Sequence, residues 1–377
     1  MAVNRGQPAF VFVHLFDLHK PYDPHPSTPR PPGVSGYDSE LLYVDRLLGM
    51  FQRYLIDTGW WQRSLVVVLS DHGEGLGEHG EDSHGYFIYR STVWVPLILH
   101  WPEGTGGHPA RDARPGGLID VAPTILDFLH IAPPASFEGQ SLPMAGQHPV
   151  YSESVYAHDA FGWAPLRGLR VGAYEYIDAP KPELYNLQQD PQERNNLIRS
   201  QAARARSQRA ELAKLLAAHA PKPSAAVPAV SPKTRALLGS LGYLSGGPRT
   251  RLGGPGADPK DRLPDYRLYE SAQTALYNGR LEAAAADLRQ LAARDPHNAL
   301  ALRDLGGAYV EERQYAKARE CFKQVIAMAP DDYMAQYELG LADKHLNLKS
   351  EALEHLKAAC KLAPEAQQCR HELESLQ

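Results

Sequence analysis

Apolar residues in the first hundred positions form three short runs, each of which gives way abruptly to polar residues. The runs are residues 10–15 (FVFVHL), 65–69 (LVVVL) and 95–100 (VPLILH). Short runs that are rich in Val, Ile and Phe predict buried β-strands. Between the first two runs, apolar residues recur at helical spacing from residue 38 to 57, with Asp38 or Ser39 as the predicted N-cap. The pattern predicts a β-α-β unit with two parallel strands, followed by a third buried strand.

The pattern changes after residue 150. Short alternating segments separated by turn residues predict a small antiparallel sheet up to residue 187, and helical spacing follows from about residue 192 to 219. Residues 220–264 are rich in Pro, Gly, Ser and Ala, which is typical of a linker. Within this linker, only residues 237–244 (LLGSLGYL) are apolar enough to dock on a neighbour.

The last third of the chain repeats with a period of 34 residues, which separates Pro296, Pro330 and Pro364. The recurring small and apolar positions of the central unit are Leu302, Leu305, Gly306, Tyr309, Ala318 and Phe322. This pattern resembles the tetratricopeptide repeat, in which each unit is a pair of antiparallel helices. Three units and a terminal helix over residues 365–377 predict a minimal solenoid. An unrelated helical bundle is the alternative.

Together these elements predict four parts. They are a partial α/β domain over residues 1–149, a small antiparallel subdomain with a helix over 150–219, a linker over 220–264, and an all-α repeat module over 265–377. The chain has 377 residues and a net charge of −5. This near-neutral charge argues against binding to nucleic acid, which usually requires a basic excess.

Cysteine occurs only at Cys321, Cys360 and Cys369, so the first 320 residues offer neither a disulfide framework nor a Cys-based zinc site. Cys321 and Cys360 are predicted to pack in the helical core. No apolar run approaches the roughly 20 residues of a transmembrane helix. The apolar run near residue 10 lacks the cleavage site of a signal peptide, which taken literally predicts a cytoplasmic protein.

Polar side chains that can bind metal ions follow the first two predicted strands. Asp71 and His72 come directly after the second strand, and His14 and His19 lie at and beyond the end of the first. Because parallel neighbours place their carboxyl ends on one edge of a sheet, the two groups are expected to converge. A carboxylate and an imidazole are both metal ligands, which predicts a site at this edge. The alternative is a solvated loop with incidental histidines, and solvated positions are also predicted for His79, Glu74, Glu78, Glu81 and Asp82.

Six motifs in order carry a resemblance to a known family. They are VFVHLFDLHKPYDP, VVVLSDHGEGLGEHG, the pair His84-Gly85, VPLILHWP, IDVAPTILDFL and ELYNLQQDPQERNNL. Together they resemble the sulfatase family of the alkaline phosphatase superfamily, over some 190 residues of this chain. The resemblance implies a partial alkaline-phosphatase-like α/β domain that hydrolyses sulfate esters with a divalent metal, usually calcium.

The resemblance also implies roles for individual residues. Asp71 and His72 match two metal ligands, and His19, in the His-x-Pro-Tyr motif, matches a catalytic residue that contacts the sulfate or the leaving-group oxygen. His84 matches a basic residue that binds the anion, where relatives carry Lys. For His14, support of the substrate site and a purely structural position at the strand end are equally open. Sulfate esters also suit this chemistry physically, because a cation and imidazoles with pKa values near 6.5 stabilise the anion and supply a proton.

The chain departs from the family pattern because the nucleophile, a pair of acidic metal ligands and several core strands are missing from it. The family forms formylglycine from Cys or Ser in a C/S-x-P-x-R motif, and the nearest segment here, residues 27–30 (STPR), has the wrong Arg spacing and follows His19. The chain is therefore expected to match the C-terminal half of a sulfatase domain and to be inactive alone. The alternatives are an inactive relic in which the repeats bind a protein or peptide partner, and a phosphatase or phosphotransferase of the same superfamily. By family resemblance the location is periplasmic or extracellular.

Overall fold

The computed structural model describes residues 8–23, 25, 28, 30–106, 111–143, 148–220, 256–364 and 366–376. These residues form two compact units. The first unit comprises the chain up to Asp71 with Val95–Ala113 and Leu118–Ala145, and the second comprises His72–Trp94, Arg114–Gly117 and Gly146–Gln377. Most of the predicted linker, including residues 237–244, lies outside the described residues, and the predicted domain boundaries stay predictions.

The first unit contains one long helix, a strand pair and a short helix. Helix α1 spans Gly36–Asp57. Its N-cap is Ser35, whose Oγ accepts a hydrogen bond from the backbone N–H of Asp38 at 3.0 Å. The prediction of Asp38 or Ser39 as N-cap was therefore wrong by three or four residues. Strands β1 (Val66–Leu69) and β2 (Leu97–His100) pair antiparallel, and helix α2 spans Val121–Phe128.

The predicted strand over residues 10–15 does not form. The segment is irregular, and its side chains are exposed, with Phe10 at 78% and Phe12 at 79%. A β-strand needs a neighbouring strand for its backbone hydrogen bonds, and no described segment pairs with residues 10–15. The predicted parallel β-α-β unit is therefore wrong, since β1 pairs only with β2 among the described strands.

The second unit contains the predicted antiparallel sheet. Strands β3 (Val150–Ser154), β4 (Leu166–Val171), β5 (Tyr174–Asp178) and β6 (Glu183–Asn186) lie in that order, each antiparallel to the next. Helix α3 (Tyr156–Phe161) connects β3 to β4, and helix α4 spans Ala202–Ala218. The predicted start of α4 near residue 192 was too early. The side chain of Asn196 accepts a hydrogen bond from the backbone N–H of Leu184, and that of Asp190 accepts one from Asn195. Such bonds from side chains to the backbone stabilise turns, so this segment does not form a helix.

The repeats form antiparallel helix pairs, as predicted. In chain order the helices are α5 (Leu263–Tyr277), α6 (Leu281–Arg294), α7 (Ala299–Glu311), α8 (Tyr315–Met328), α9 (Tyr333–His345), α10 (Lys349–Leu362) and α11 (Gln367–Glu374). A Cβ on Gly306 would lie 2.7 Å from the ring of Phe322, so the glycine permits the close approach of α7 and α8. None of the described helices combines the length and the hydropathy needed to cross a bilayer.

The cysteines have two different roles. Cys321 is a buried free thiol, as predicted. Cys360 was predicted to be a packing residue, but it forms a disulfide with Cys369. The bond joins α10 to α11, because the two helices are antiparallel neighbours that bring residues nine positions apart to a Cα–Cα distance of 5.7 Å.

Candidate functional site

The Gly-rich loop after β1 is closed by backbone hydrogen bonds. The N–H of Gly75 donates to the carbonyl of Ser83 at 2.8 Å, and the N–H of Gly77 donates to the carbonyl of Glu81 at 2.9 Å. The loop then enters residues 86–89 (YFIY), all of which are buried. These bonds give the loop a defined course, although Leu76, Glu78 and Asp82 are exposed. We call residues 72–89 the histidine loop.

The histidine loop brings His72 and His84 together. Their ring centroids are 3.9 Å apart and their planes are inclined by 28°. Nδ1 of His84 lies 3.2 Å from the carboxylate of Glu74, whose side chain is only 5% exposed. Since a carboxylate only accepts hydrogen bonds, Nδ1 of His84 is the donor, and the ring orientation is fixed by Glu74.

His72 and His19 are oriented by the same local bond, each within its own compact unit. Nδ1 of His72 lies 2.8 Å from the carbonyl oxygen of Gly73, and Nδ1 of His19 lies 2.7 Å from that of Lys20. A carbonyl oxygen accepts only, so both Nδ1 atoms donate. A bond from either ring to a metal ion or an anion must then be made through Nε2, which is the arrangement that histidine ligands commonly show.

The remaining predicted site residues lie in the first unit. His14 and His19 both contact the ring of Phe16, with centroid distances of 6.1 and 4.6 Å. His14 also lies 6.4 Å from the ring of Phe12. Asp71 follows β1 directly and is exposed. The structure therefore groups His72 with His84 in one unit and His14 with His19 in the other.

The described residues do not complete a metal site. No group of three or more His, Cys, Asp or Glu side chains in the part of the chain that the structure describes is placed to hold a metal ion. Asp71 and His72 offer one carboxylate and one imidazole, whereas calcium takes six to eight oxygen ligands. These two residues alone do not fit a calcium ion.

Of the loop residues that were predicted to be solvated, Glu81 is buried, while Glu74 and His79 are partly buried. Glu81 is 2% exposed and accepts hydrogen bonds from the backbone N–H groups of Tyr86 and Phe87, at 2.8 and 3.1 Å. Burial raises the pKa of Glu81 to about 7. Glu74 holds His84, and His79 stacks on Tyr89 at 3.6 Å, where burial lowers its pKa. The sequence feature that indicates this burial is the apolar segment 86–89, because a loop that leads directly into a buried segment lies close to the core.

Comparisons with known proteins match two regions of the chain to different families. Residues 2–131 match the sulfatase family model, residues 77–220 match the C-terminal model of N-sulphoglucosamine sulphohydrolase, and residues 275–343 match a tetratricopeptide repeat model. An N-acetylglucosamine-6-O-sulfatase of Bacteroides thetaiotaomicron is 30% identical over 178 residues, which are 43% of this chain and 31% of that relative.

Solved structures are similar to separate parts of the chain. A 2-O GAG sulfatase matches 48% of this chain and 42% of its own, with 23% identity and a TM-score of 0.43. The first TPR of Spaghetti (RPAP3), bound to an HSP90 peptide, matches 30% of this chain and 89% of its own, with 20% identity and a TM-score of 0.29. The chain spans about a third of the length of the curated relatives that it matches. Residues 2–220 are thus similar to sulfatases, and residues 275–343 are similar to tetratricopeptide repeats.

Proposed function

We propose that this chain supplies the C-terminal part of a sulfate ester hydrolase site. The observation that carries the proposal is the stacked pair of His72 and His84, with Nδ1 of His84 held by Glu74. In this proposal His84 and His19 contact the sulfate group and the leaving oxygen, and His14 supports the substrate side. Asp71 and His72 are two ligands of a divalent metal, with calcium as the expected ion.

The side chains of the histidine loop suit an anionic substrate. A sulfate ester carries negative charge on its non-bridging oxygens, and a protonated imidazole is attracted to that charge and donates a hydrogen bond. With Nδ1 committed to Glu74, His84 meets the substrate through Nε2. His19, with Nδ1 committed to Lys20, is the proposed proton donor to the leaving oxygen through Nε2.

The nucleophile and the other metal ligands are proposed to come from the amino-terminal part of a sulfatase domain, encoded upstream or on a separate chain. The first unit supports this proposal because many of its apolar side chains are exposed. The exposed side chains include Phe10, Phe12, Leu41, Leu42, Met50 and Phe51. Exposed apolar groups in such number are typical of a surface that another segment covers.

Anion binding by the histidine loop is testable with inorganic sulfate as the probe. We expect sulfate to shift the imidazole NMR signals of His72 and His84 in the full chain. His158, which is exposed and paired with Asp159, serves as the internal control and should not shift in parallel. Equal shifts at all three histidines would indicate only a general effect of ionic strength and would contradict the proposal.

Catalysis is testable by supplying the missing part. The chain alone, with added calcium, is expected to hydrolyse an aryl sulfate no faster than its His72→Ala variant. Addition of an amino-terminal sulfatase segment that carries formylglycine should restore turnover, and His84→Ala should then remove it. Paired aryl sulfate and aryl phosphate substrates decide between a sulfatase and a phosphatase, and turnover of the chain alone would refute the need for completion.

The repeats favour a second candidate function, a scaffold that binds a protein or peptide partner while the α/β region is a relic. Calcium titration of the chain completed with the amino-terminal sulfatase segment separates the two functions, because the chain alone lacks the other proposed metal ligands. Thermal stabilisation by calcium that is lost in Asp71→Asn supports a working site. No calcium-dependent shift in either protein supports the scaffold.

A further inference from the structure

The first repeat helix contacts the histidine loop directly. The rings of Tyr266 in α5 and Tyr86 stack at 4.0 Å, inclined by 9°, and they are 2% and 0% exposed. Nε of Arg267 donates a hydrogen bond to the carbonyl of Gly80 at 3.0 Å. Both contacts lie within the second compact unit. The repeat module is therefore built into the structure that surrounds the loop.

Gly80 is adapted to this contact. Its backbone φ is +85°, and a Cβ at this position would lie 2.6 Å from Cδ2 of Leu263 and 2.7 Å from Nη2 of Arg267. By contrast, Gly85 in the same loop also has a positive φ, +90°, but has no atom within 4 Å of its Cβ position. A side chain at Gly80 would therefore displace the ends of the Leu263 and Arg267 side chains, in addition to straining the turn.

The segment before α5 completes the contact. The hydroxyl of Tyr86 donates to the carbonyl of Pro259 at 2.6 Å. The N–H of Ala164 donates to the carbonyl of Ala257 at 2.9 Å, and the guanidinium of Arg262 lies 5.8 Å from the ring of Trp163. Trp163 in turn lies 6.1 Å from Tyr86. The chain that leads into the repeats is therefore anchored on both the sheet subdomain and the histidine loop.

A continuous set of contacts leads from α5 to the paired histidines. Tyr86 donates its backbone N–H to the carboxylate of Glu81, and the carbonyl of Glu81 accepts the N–H of Gly77. Gly75, two residues earlier, is bonded to Ser83, which precedes His84. Glu74, adjacent to Gly75, holds Nδ1 of His84. A displacement of Tyr86 or Gly80 would therefore be transmitted to the imidazole pair.

We propose that Tyr266 and Arg267 are positioning residues for the histidine loop, so that the first repeat is a structural part of the sulfatase-type site. They act through Tyr86 and Gly80 and do not touch the imidazoles. That this positioning serves an anion-binding site rests on the function proposed above. The positioning itself is a property of the loop and is measured separately.

Hydrogen exchange of the full chain tests the positioning. In Tyr266→Leu and in Arg267→Met, the amides of Gly75, Gly77 and Tyr86 are expected to exchange about tenfold faster, with helix α9 unchanged. Tyr266→Phe retains the stacked ring and should restore protection. Tyr277→Leu, which changes a 72% exposed tyrosine of the same helix, and Arg370→Met on α11 are the matched controls. Unchanged protection of the loop, or an equal loss throughout the second unit, would overturn the proposal.

Titration with inorganic sulfate supplies a readout that general stability does not move. If the proposal holds, sulfate shifts the signals of His72 and His84 less in Tyr266→Leu than in wild type. In Tyr266→Phe the shifts should equal those of wild type. Measurable shifts of equal size in wild type and Tyr266→Leu would overturn the positioning role. Absence of any shift in wild type would refute the anion site alone, while the exchange data would still decide the positioning.

Discussion

Glu175 is a buried carboxyl group of the sheet subdomain. It lies on β5 with 4% of its surface exposed, and burial raises its pKa to about 8. The neighbouring Glu193 adds to this rise by charge repulsion, while Arg170 opposes it. Glu193 is itself buried, with its pKa raised to about 7. Two carboxyl groups in one apolar environment favour the protonated form of both.

These carboxyl groups predict that stability falls as pH rises. The pKa of Glu175 is about 8 in the folded chain against 4.5 for an unperturbed Glu, so the folded state binds more protons between these values. The free energy of unfolding should therefore decrease from about pH 4.5 to pH 8, by up to about 1.4 kcal/mol per pH unit for each group. Glu175→Gln should flatten this dependence and raise the melting temperature at pH 8.

The melting temperature between pH 5 and 8 checks this prediction. Glu211→Gln, an exposed change on α4 of the same unit, is the control and should follow wild type. If Glu175→Gln shows the same slope as wild type, Glu175 is not the group that titrates.

At the scale of residues, the sequence identified the histidines but not the carboxylates that hold them. His72 and His84 were predicted because they stand in family motifs, and the structure brings them together. Glu74 and Glu81 were predicted to be solvated because they stand in a Gly-rich polar stretch. Their positions depend on contacts with His84 and with the backbone of Tyr86 and Phe87, and no motif in the sequence specifies these partners.

At the scale of elements, prediction succeeded where the pattern is local or periodic. The 34-residue period fixed the repeat helices, since each offset places a small residue opposite a large one, as at Gly306 and Phe322. Alternation fixed the four-stranded sheet. The prediction of a strand at residues 10–15 was wrong because a strand needs a neighbouring strand for its hydrogen bonds. Apolar composition alone does not show whether such a neighbour exists.

The terminal helix α11 is held by a covalent bond that was not predicted. Because the Cys360–Cys369 disulfide closes a short loop, the chain-entropy model gives it a contribution of about 2 to 3 kcal/mol. We expect a reductant to lower the melting temperature of wild type. The melting temperature of Cys360→Ser, which lacks the disulfide, should not change with the reductant. Cys321→Ser, which alters the buried free thiol, should retain the response to reductant. A melting temperature of wild type that does not respond to the reductant would contradict this prediction. Disulfides of this kind persist in oxidising compartments.

At the scale of the whole molecule, the second compact unit joins segments that are far apart in sequence. Tyr86 and Tyr266 stack although the predicted linker separates their regions, and Tyr269 packs on Phe161 of α3 at 5.2 Å. The sequence could not predict these contacts, because neither residue belongs to a motif that specifies a partner. This face of α5 is consequently buried within the chain, so a partner of the repeats must bind elsewhere on them.

The first unit predicts self-association of the isolated chain. Phe10 and Phe12 are more than three-quarters exposed, and apolar surface of this kind associates in water unless a segment covers it. We expect wild type to form concentration-dependent oligomers in sedimentation velocity and to bind an apolar dye, with both effects reduced in the double variant Phe10→Ser/Phe12→Ser. Tyr277→Ser removes an aromatic of similar exposure, 72%, from the second unit, and it should associate like wild type. If the tyrosine variant loses association and the phenylalanine variant retains it, the interacting surface lies on the repeats, and the first unit needs no covering segment.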